Sequence, residues 1–266
     1  MPAANFSEIY GKLVNLVYED DLDSQRYYLS VVEEARKIPV DYLISRGCLF
    51  IPNNEYIHHY LGAEADSYGL GLYVEDRCLW TLYVLFPVQD LAGDTVGLVG
   101  WDALHKYQEI EEGAVGLSMY KGSSKQVFPK EKYFLSDIEL LKRTFDKRTV
   151  FVTDGVYDSV ALNYRGIPAI ALLGSTFSKE VIYFLRWYKR VYVCADNDEA
   201  GLKLYQRLSK VVPGIHRVIQ GKTKDIEEFL RDDSLNGPIT TQLRDCLNGT
   251  ITGDLWLDDR RSFRRT

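Results

Sequence analysis

Two short apolar runs, Val150–Thr153 and Val191–Ala195, each stop abruptly at carboxylates, and this pair constrains the fold more than any other feature of the chain. Runs of four or five residues rich in β-branched side chains, ended by polar groups, read as strands buried on both faces of a parallel sheet. Asp154 then follows one strand directly, and Asp196 with Asp198 follows another. In open α/β sheets, ligands bind outside the carboxyl ends of the strands. Carboxylates gathered there repel one another unless a cation joins them, and hard oxygen donors converging with water on one ion are the Mg2+ pattern. An Asp after a strand also serves as a helix cap or turn former. That explanation suits any one of the three better than it suits all of them. Gly155 and Gly201, close to these acids, suit a tight approach of backbone.

Around these runs strands and helices alternate. Strands fall near 149–153, 168–172, 191–195 and 215–219, and helices near 156–165, 178–189 and 199–210, with Ser178 as an N-cap. Such alternation implies right-handed βαβ crossovers and a parallel sheet covered by helices on both faces. A last helix spans Asp225–Arg231, residues 234–253 read as turn-rich, and DDRRSFRRT reads as a mobile basic tail. Upstream the pattern differs. Residues 5–37 carry two helices broken at Asp20–Ser24, with Ser24 as cap of the second, and VDYLISR after Pro39 is a short helix closed by Gly47. From Leu70 to Trp101, three β-rich runs split at Glu75–Arg77 and Asp90–Asp94 read as an antiparallel meander. Tyr73, Trp80, Tyr83 and Phe86 alternate there as strand core, and residues 108–130 read as loops. The expected fold class is α/β, a parallel sheet with helices on both faces preceded by a smaller α+β subdomain. Its expected parts are 1–38, 39–147, 148–233 and 234–266.

Composition excludes several classes. The 266 residues are 46% hydrophobic and 26% charged, ordinary for a soluble globular protein. No run approaches the roughly 20 apolar residues of a membrane helix, and MPAANFSEIYGKL lacks the layout of a signal peptide. Cys48, Cys78, Cys194 and Cys246 are scattered with no CxxC pair, which argues against a zinc ribbon or disulfide framework and fits a reducing compartment. His58 and His59 are adjacent, so they face different ways and read as surface residues. A net charge of −6 gives no global nucleic-acid signature. Basic residues nevertheless cluster: six and no acids from Leu202 to Lys224, and eight against four acids from Lys121 to Arg148. Such zones beside an acidic site suit a polyanion lying across bound metals. They also suit solvated helix faces.

The segment Asp154-Gly155-Val156-Tyr157-Asp158-Ser159-Val160-Ala161-Leu162, then Leu173-Gly174-Ser175, then Asp196-Asn197-Asp198-Glu199-Ala200-Gly201, resembles the Toprim domain of bacterial DnaG-type primases. Lys224-Asp225 with Glu228 is similar to that family's later acidic segment. Upstream, Tyr42-Leu43-Ile44-Ser45-Arg46-Gly47, Phe86-Pro87 with Gly93 and Val96-Gly97, and Lys132-Tyr133 resemble the primase polymerase core in the right order. The resemblance covers roughly residues 39–232. It implies synthesis of short RNA primers from NTPs on a single-stranded DNA template, with Mg2+ or Mn2+ as cofactor, in the cytoplasm of a bacterial or phage-infected cell. A replicative helicase is a further implied partner, and a membrane is not. Asp196 and Asp198 become metal ligands and Asp154 a ligand or general base. Asp158 either supports the metals through water or complements its helix dipole. Lys132, Arg46, Lys222 and Lys224 become nucleotide or DNA contacts. Several departures stand out. Asp154 replaces the family's Glu, Trp101-Asp102 stands where the family has an Arg, and the zinc-binding and helicase-binding domains are expected to be absent. Two rival functions share these residues: a Toprim-type nuclease, and a non-catalytic replication adaptor that binds DNA or helicase.

Overall fold

The computed structural model describes residues 3–62, 73–74, 77–78, 83–101, 125–127, 133–134, 137–172, 177–220 and 225–257. Trp80, Lys132, Lys222, Lys224, Leu173-Gly174-Ser175 and the basic tail lie outside the described residues. The chain divides into two compact units, Met1–Pro129 and Lys130–Thr266.

In the first unit, helices α1 (Ala3–Asp20) and α2 (Leu22–Arg36) meet at the acidic break, as expected, but the residue flanking α2 is Asp21 and Ser24 lies inside its first turn. Helix α3 (Val40–Ser45) leads to Gly47 at φ +70°, then to β1 (Leu49–Ile51) and α4 (Asn54–Leu61). Asn53 caps α4 by accepting the Tyr56 N–H at 2.9 Å. The β-rich stretch is not one meander. Strands β2 (Tyr73–Val74) and β3 (Arg77–Cys78) pair only with each other among the described residues. Strands β4 (Tyr83–Gln89), β5 (Thr95–Trp101) and β6 (Lys125–Val127) join β1 in an antiparallel sheet ordered β1-β4-β5-β6. The β4–β5 turn falls where its acids predict, since the Asp90 carboxylate accepts the N–H groups of Ala92, Gly93 and Asp94. β6 lies within the expected loop. Backbone pairing with β5 recruits a Lys-Gln-Val segment too short and polar to read as a strand by pattern. The sheet packs on α1 and α4 through Leu13, Val17, Leu49, Ile51, Ile57, Leu85 and Leu98.

The second unit begins before the change of pattern at Lys147. Helix α5 (Ile138–Arg143) belongs to it because Ile138 and Leu141 sit in its core. The sheet order is β12-β11-β10-β8-β9-β7, built from β7 (Tyr133–Phe134), β8 (Thr149–Thr153), β9 (Ala169–Leu172), β10 (Arg190–Cys194), β11 (Ile215–Ile219) and β12 (Leu255–Trp256). All are parallel except β7, which pairs antiparallel with β9. Helices α6 (Val156–Tyr164), α7 (Lys179–Leu185), α8 (Glu199–Ser209) and α9 (Ile226–Arg231) fall where the sequence places them. Strand alternation gives the sheet two buried faces. Val150, Val152, Val191 and Val193 face α7 and α8 with Leu185, Leu204 and Leu208. Phe151 and Tyr192 stack on each other with ring centres 5.2 Å apart, and Tyr192 meets the His216 ring, a ladder across three adjacent strands.

Residues 234–253 are not turn-rich. They enter helix α10 (Asp233–Asn248), with Pro238 inside it, and lead to β12. Gly, Pro, Asn and Thr obscure the pattern, but Ile239, Leu243, Cys246 and Leu247 are spaced to bury one stripe, and α10 packs on α9 and β8. Tertiary burial outweighs poor local propensity here.

Candidate functional site

The chain leaves β8 for β9 on one side and returns to place β10 on the other. The winding therefore reverses between β8 and β10, and the carboxyl ends of those strands form the crevice where such sheets bind ligands. Register pairs Thr153 with Cys194, so the residues that follow, Asp154 and Ala195-Asp196, emerge side by side. The Asp196 N–H donates to both oxygens of the Asp154 carboxylate, at 3.1 and 3.3 Å. Asp158, in the first turn of α6, is buried and accepts the Glu227 N–H at 3.1 Å. One carboxylate oxygen from each of Asp154, Asp158 and Asp196 lies within 4.8 Å of the others. Three hard oxygen donors at that separation fit a divalent cation of the Mg2+ or Mn2+ kind.

Electrostatics supports the same reading. Burial first, and then the Asp196 and Asp198 charges, push the Asp154 carboxyl up from its ordinary 3.8 to about 6, against the opposing hydrogen bond from Asp196. Burial, and then the Asp225 charge, hold Asp158 well above the usual carboxylate range. Without a cation the cluster repels itself. The folded protein keeps a proton on Asp154 that the unfolded chain releases between pH 3.8 and about 6. Stability of the metal-free protein therefore falls as pH rises through that window, and the full cost applies above it. At neutral pH that cost is on the order of 3 kcal/mol. Asp154→Asn should match wild type near pH 4 and be more stable than wild type by about that amount near pH 7.5. Urea titrations in chelator at both pH values measure the difference. Equal midpoints at both would contradict the proposed repulsion.

Asp198 is placed differently from the other three. Its side chain accepts the Gly201 N–H at 2.9 Å and caps α8, and among the described residues it is outside the close carboxylate group. It still adds to the charge felt by Asp154. Both glycines have structural reasons. A Cβ at Gly155 would run into the Asp158 carboxylate, and one at Gly201 into the Asp196 carbonyl oxygen. Arg46 follows α3 in the first unit, with its guanidinium 5.6 Å from the Tyr42 ring centre.

Glu227 was not anticipated. It is 1% exposed, its carboxylate lies 2.9 Å from Arg231, and its N–H holds Asp158. The sequence points instead to Glu228, whose N–H serves the Asp225 cap. The available signal is an acid four residues before an arginine, on a short helix whose other residues apart from Glu228 are apolar.

Residues 151–230, which carry these strand-end carboxylates, match the Toprim-like family. Beyond that segment, the chain is similar to DNA primases, at 26% identity to that of Thermotoga maritima over 73% of this chain and 36% of that one. The primase of Campylobacter jejuni is 27% identical over 41% of this chain and 19% of that one. The chain thus spans little more than a third of the first relative's length. Its fold is that of a DnaG-type primase core. The RNA polymerase domain of the Mycobacterium tuberculosis primase DnaG superposes with a TM-score of 0.68 at 17% identity, over 92% of this chain and 82% of that one. A DnaG catalytic domain bound to single-stranded DNA gives 0.66 at 19% identity, over 89% and 77%.

Proposed function

We propose that this chain is the catalytic core of a DNA primase, joining NTPs into short RNA on single-stranded DNA. The observation that carries it is the meeting of Asp154, Asp158 and Asp196 at the β8–β10 reversal of a primase-type fold. These three would hold Mg2+ or Mn2+, which when bound neutralises triphosphate charge and makes a 3′-hydroxyl a better nucleophile. The chain's own residues set the geometry. The Asp196 N–H locks Asp154, Glu227 locks Asp158, and Gly201 lets α8 begin against the Asp196 backbone. Burial and negative neighbours keep these carboxylates ready for a cation. Asp198 contributes charge as well as its cap. Primase is preferred to nuclease because the likeness extends to about nine-tenths of the chain, well beyond the Toprim segment that nucleases share. Among the described residues no helix is long and apolar enough to cross a membrane. Cys48, Cys194 and Cys246 are buried free thiols, which suits a reducing compartment such as the bacterial cytoplasm. A replicative helicase is the macromolecular partner that the family resemblance suggests.

A gel assay with labelled NTPs, single-stranded DNA and Mg2+ or Mn2+ tests the reading, and new short oligoribonucleotides are expected. Loss of full-length DNA without synthesis would replace it with hydrolysis. Asp198 has its own test. Asp198→Ala should lose activity and about 1 kcal/mol of stability, whereas Asp198→Asn, which still caps, should lose activity alone. An Asn variant with full activity would reduce Asp198 to a cap.

A further inference from the structure

Helix α8 starts at the acidic site and leads away from it; Lys203 and Arg207 lie on its exposed face, and Lys210, also exposed, directly follows its last turn. These three, with Asp154, Leu172 and Leu204, line a cavity of about 400 Å3. We propose that this groove carries the sugar–phosphate backbone of a nucleic-acid strand between the carboxylate site and the far end of α8. The proposal rests on the preceding reading only in taking nucleic acid as the substrate.

Spacing favours a strand over a single nucleotide. At about 1.5 Å per residue, Lys203 to Lys210 spans roughly 10 Å. A strand carries a phosphate at every nucleotide, so a row of cations this long meets successive phosphates rather than one. A triphosphate held at the carboxylates would reach only the near end of that row. The partly exposed Phe177 ring, 5.3 Å from the Arg207 guanidinium, suits the face of a base. Lys203 is paired with Glu199 at 2.7 Å, but both are well exposed, so phosphate displaces that partner at little cost. A chain of net charge −6 needs a concentrated basic track to hold a polyanion, and this one adjoins the site.

The test measures binding of a labelled single-stranded DNA by fluorescence anisotropy across a salt series, without NTPs. Lys203→Gln/Arg207→Gln/Lys210→Gln should weaken binding at least about tenfold near 0.1 M salt. It should also flatten the slope of log affinity against log salt by roughly 2. Lys12→Gln/Lys37→Gln/Lys189→Gln, with the same charge lost outside both basic zones, should change affinity by about twofold at most. Lys203→Glu and Lys210→Glu, each several-fold weaker, serve should the triple variant fold poorly. Unchanged affinity and slope, or an equal loss in the control triple, would overturn the proposal. So would a loss of Mg·ATP binding with DNA binding intact. Wild-type binding that depends on these cations, but without RNA synthesis, would uphold the groove and remove the primase reading.

Discussion

Asp196→Asn is expected to lose on the order of a thousandfold in metal-dependent nucleotide incorporation while keeping the wild-type fold. The substitution leaves the Asp196 backbone N–H, and so its hydrogen bonds to Asp154, in place. What disappears is one of the three negative oxygens that close on a common point. A thousandfold corresponds to about 4 kcal/mol of transition-state stabilisation, a fair share for one ligand of a charge-neutralising ion. The same change relieves like-charge repulsion on Asp154. The metal-free variant should therefore be at least as stable as wild type in urea, and should gain less stability than wild type when Mg2+ or Mn2+ is added. An incorporation rate within tenfold of wild type would remove Asp196 from the site. Lost activity with lost stability would point to misfolding instead, and the urea curve separates the two.

Gly201→Ala should destabilise the protein by about 3 kcal/mol and lower its melting temperature by on the order of 10 °C. Helix propensity predicts the opposite sign, a gain of about 1 kcal/mol for Ala over Gly inside a helix. Space decides the matter. A Cβ at Gly201 would run into the carbonyl oxygen of Asp196, with the carbon and nitrogen of the same residue 3.0 and 3.1 Å away. These are backbone atoms held by β10 and by the hydrogen bond to Asp154, so they cannot swing aside as a side-chain tip would. Either α8 shifts or the Asp196 backbone does, and the second course also disturbs the carboxylate group. At Gly11, in α1, an added Cβ would meet nothing within 4 Å, and Gly11→Ala is expected to gain up to about 1 kcal/mol. Thermal melts of the two variants side by side give the comparison. Gly201→Ala melting at or above wild type would show that α8 is free to move.

Much of the second unit was legible in the sequence because its signals are local. Val150–Thr153 and Val191–Ala195 read as strands from their own composition, and both are strands, each one residue offset at most. A strand with an acid at its carboxyl end, repeated in an alternating chain, already implies carboxylates at one edge of a parallel sheet. Other features depend on partners distant in sequence. The helical stripe of α10 is hidden by Gly237 and Pro238, and becomes a helix because α9 and β8 offer it a surface to cover. β6 and β12 are strands because β5 and β11 present unpaired edges to them.

The carboxylate site divides along the same line. Sequence alone determined which residue types stand at the strand ends, Asp154, Asp196 and Asp198, and that glycines accompany them. Only the tertiary structure decided which of the acids converge. It brought Asp158 in, because Glu227 from α9 fixes its carboxylate, and it gave Asp198 to the first turn of α8, whose open N–H groups need an acceptor. Periodicity specifies the elements, since it follows from backbone geometry along the chain. Convergence depends on register, winding and competing hydrogen bonds between segments about 40 to 70 residues apart, and those are set only when the sheet and its helices close on one another.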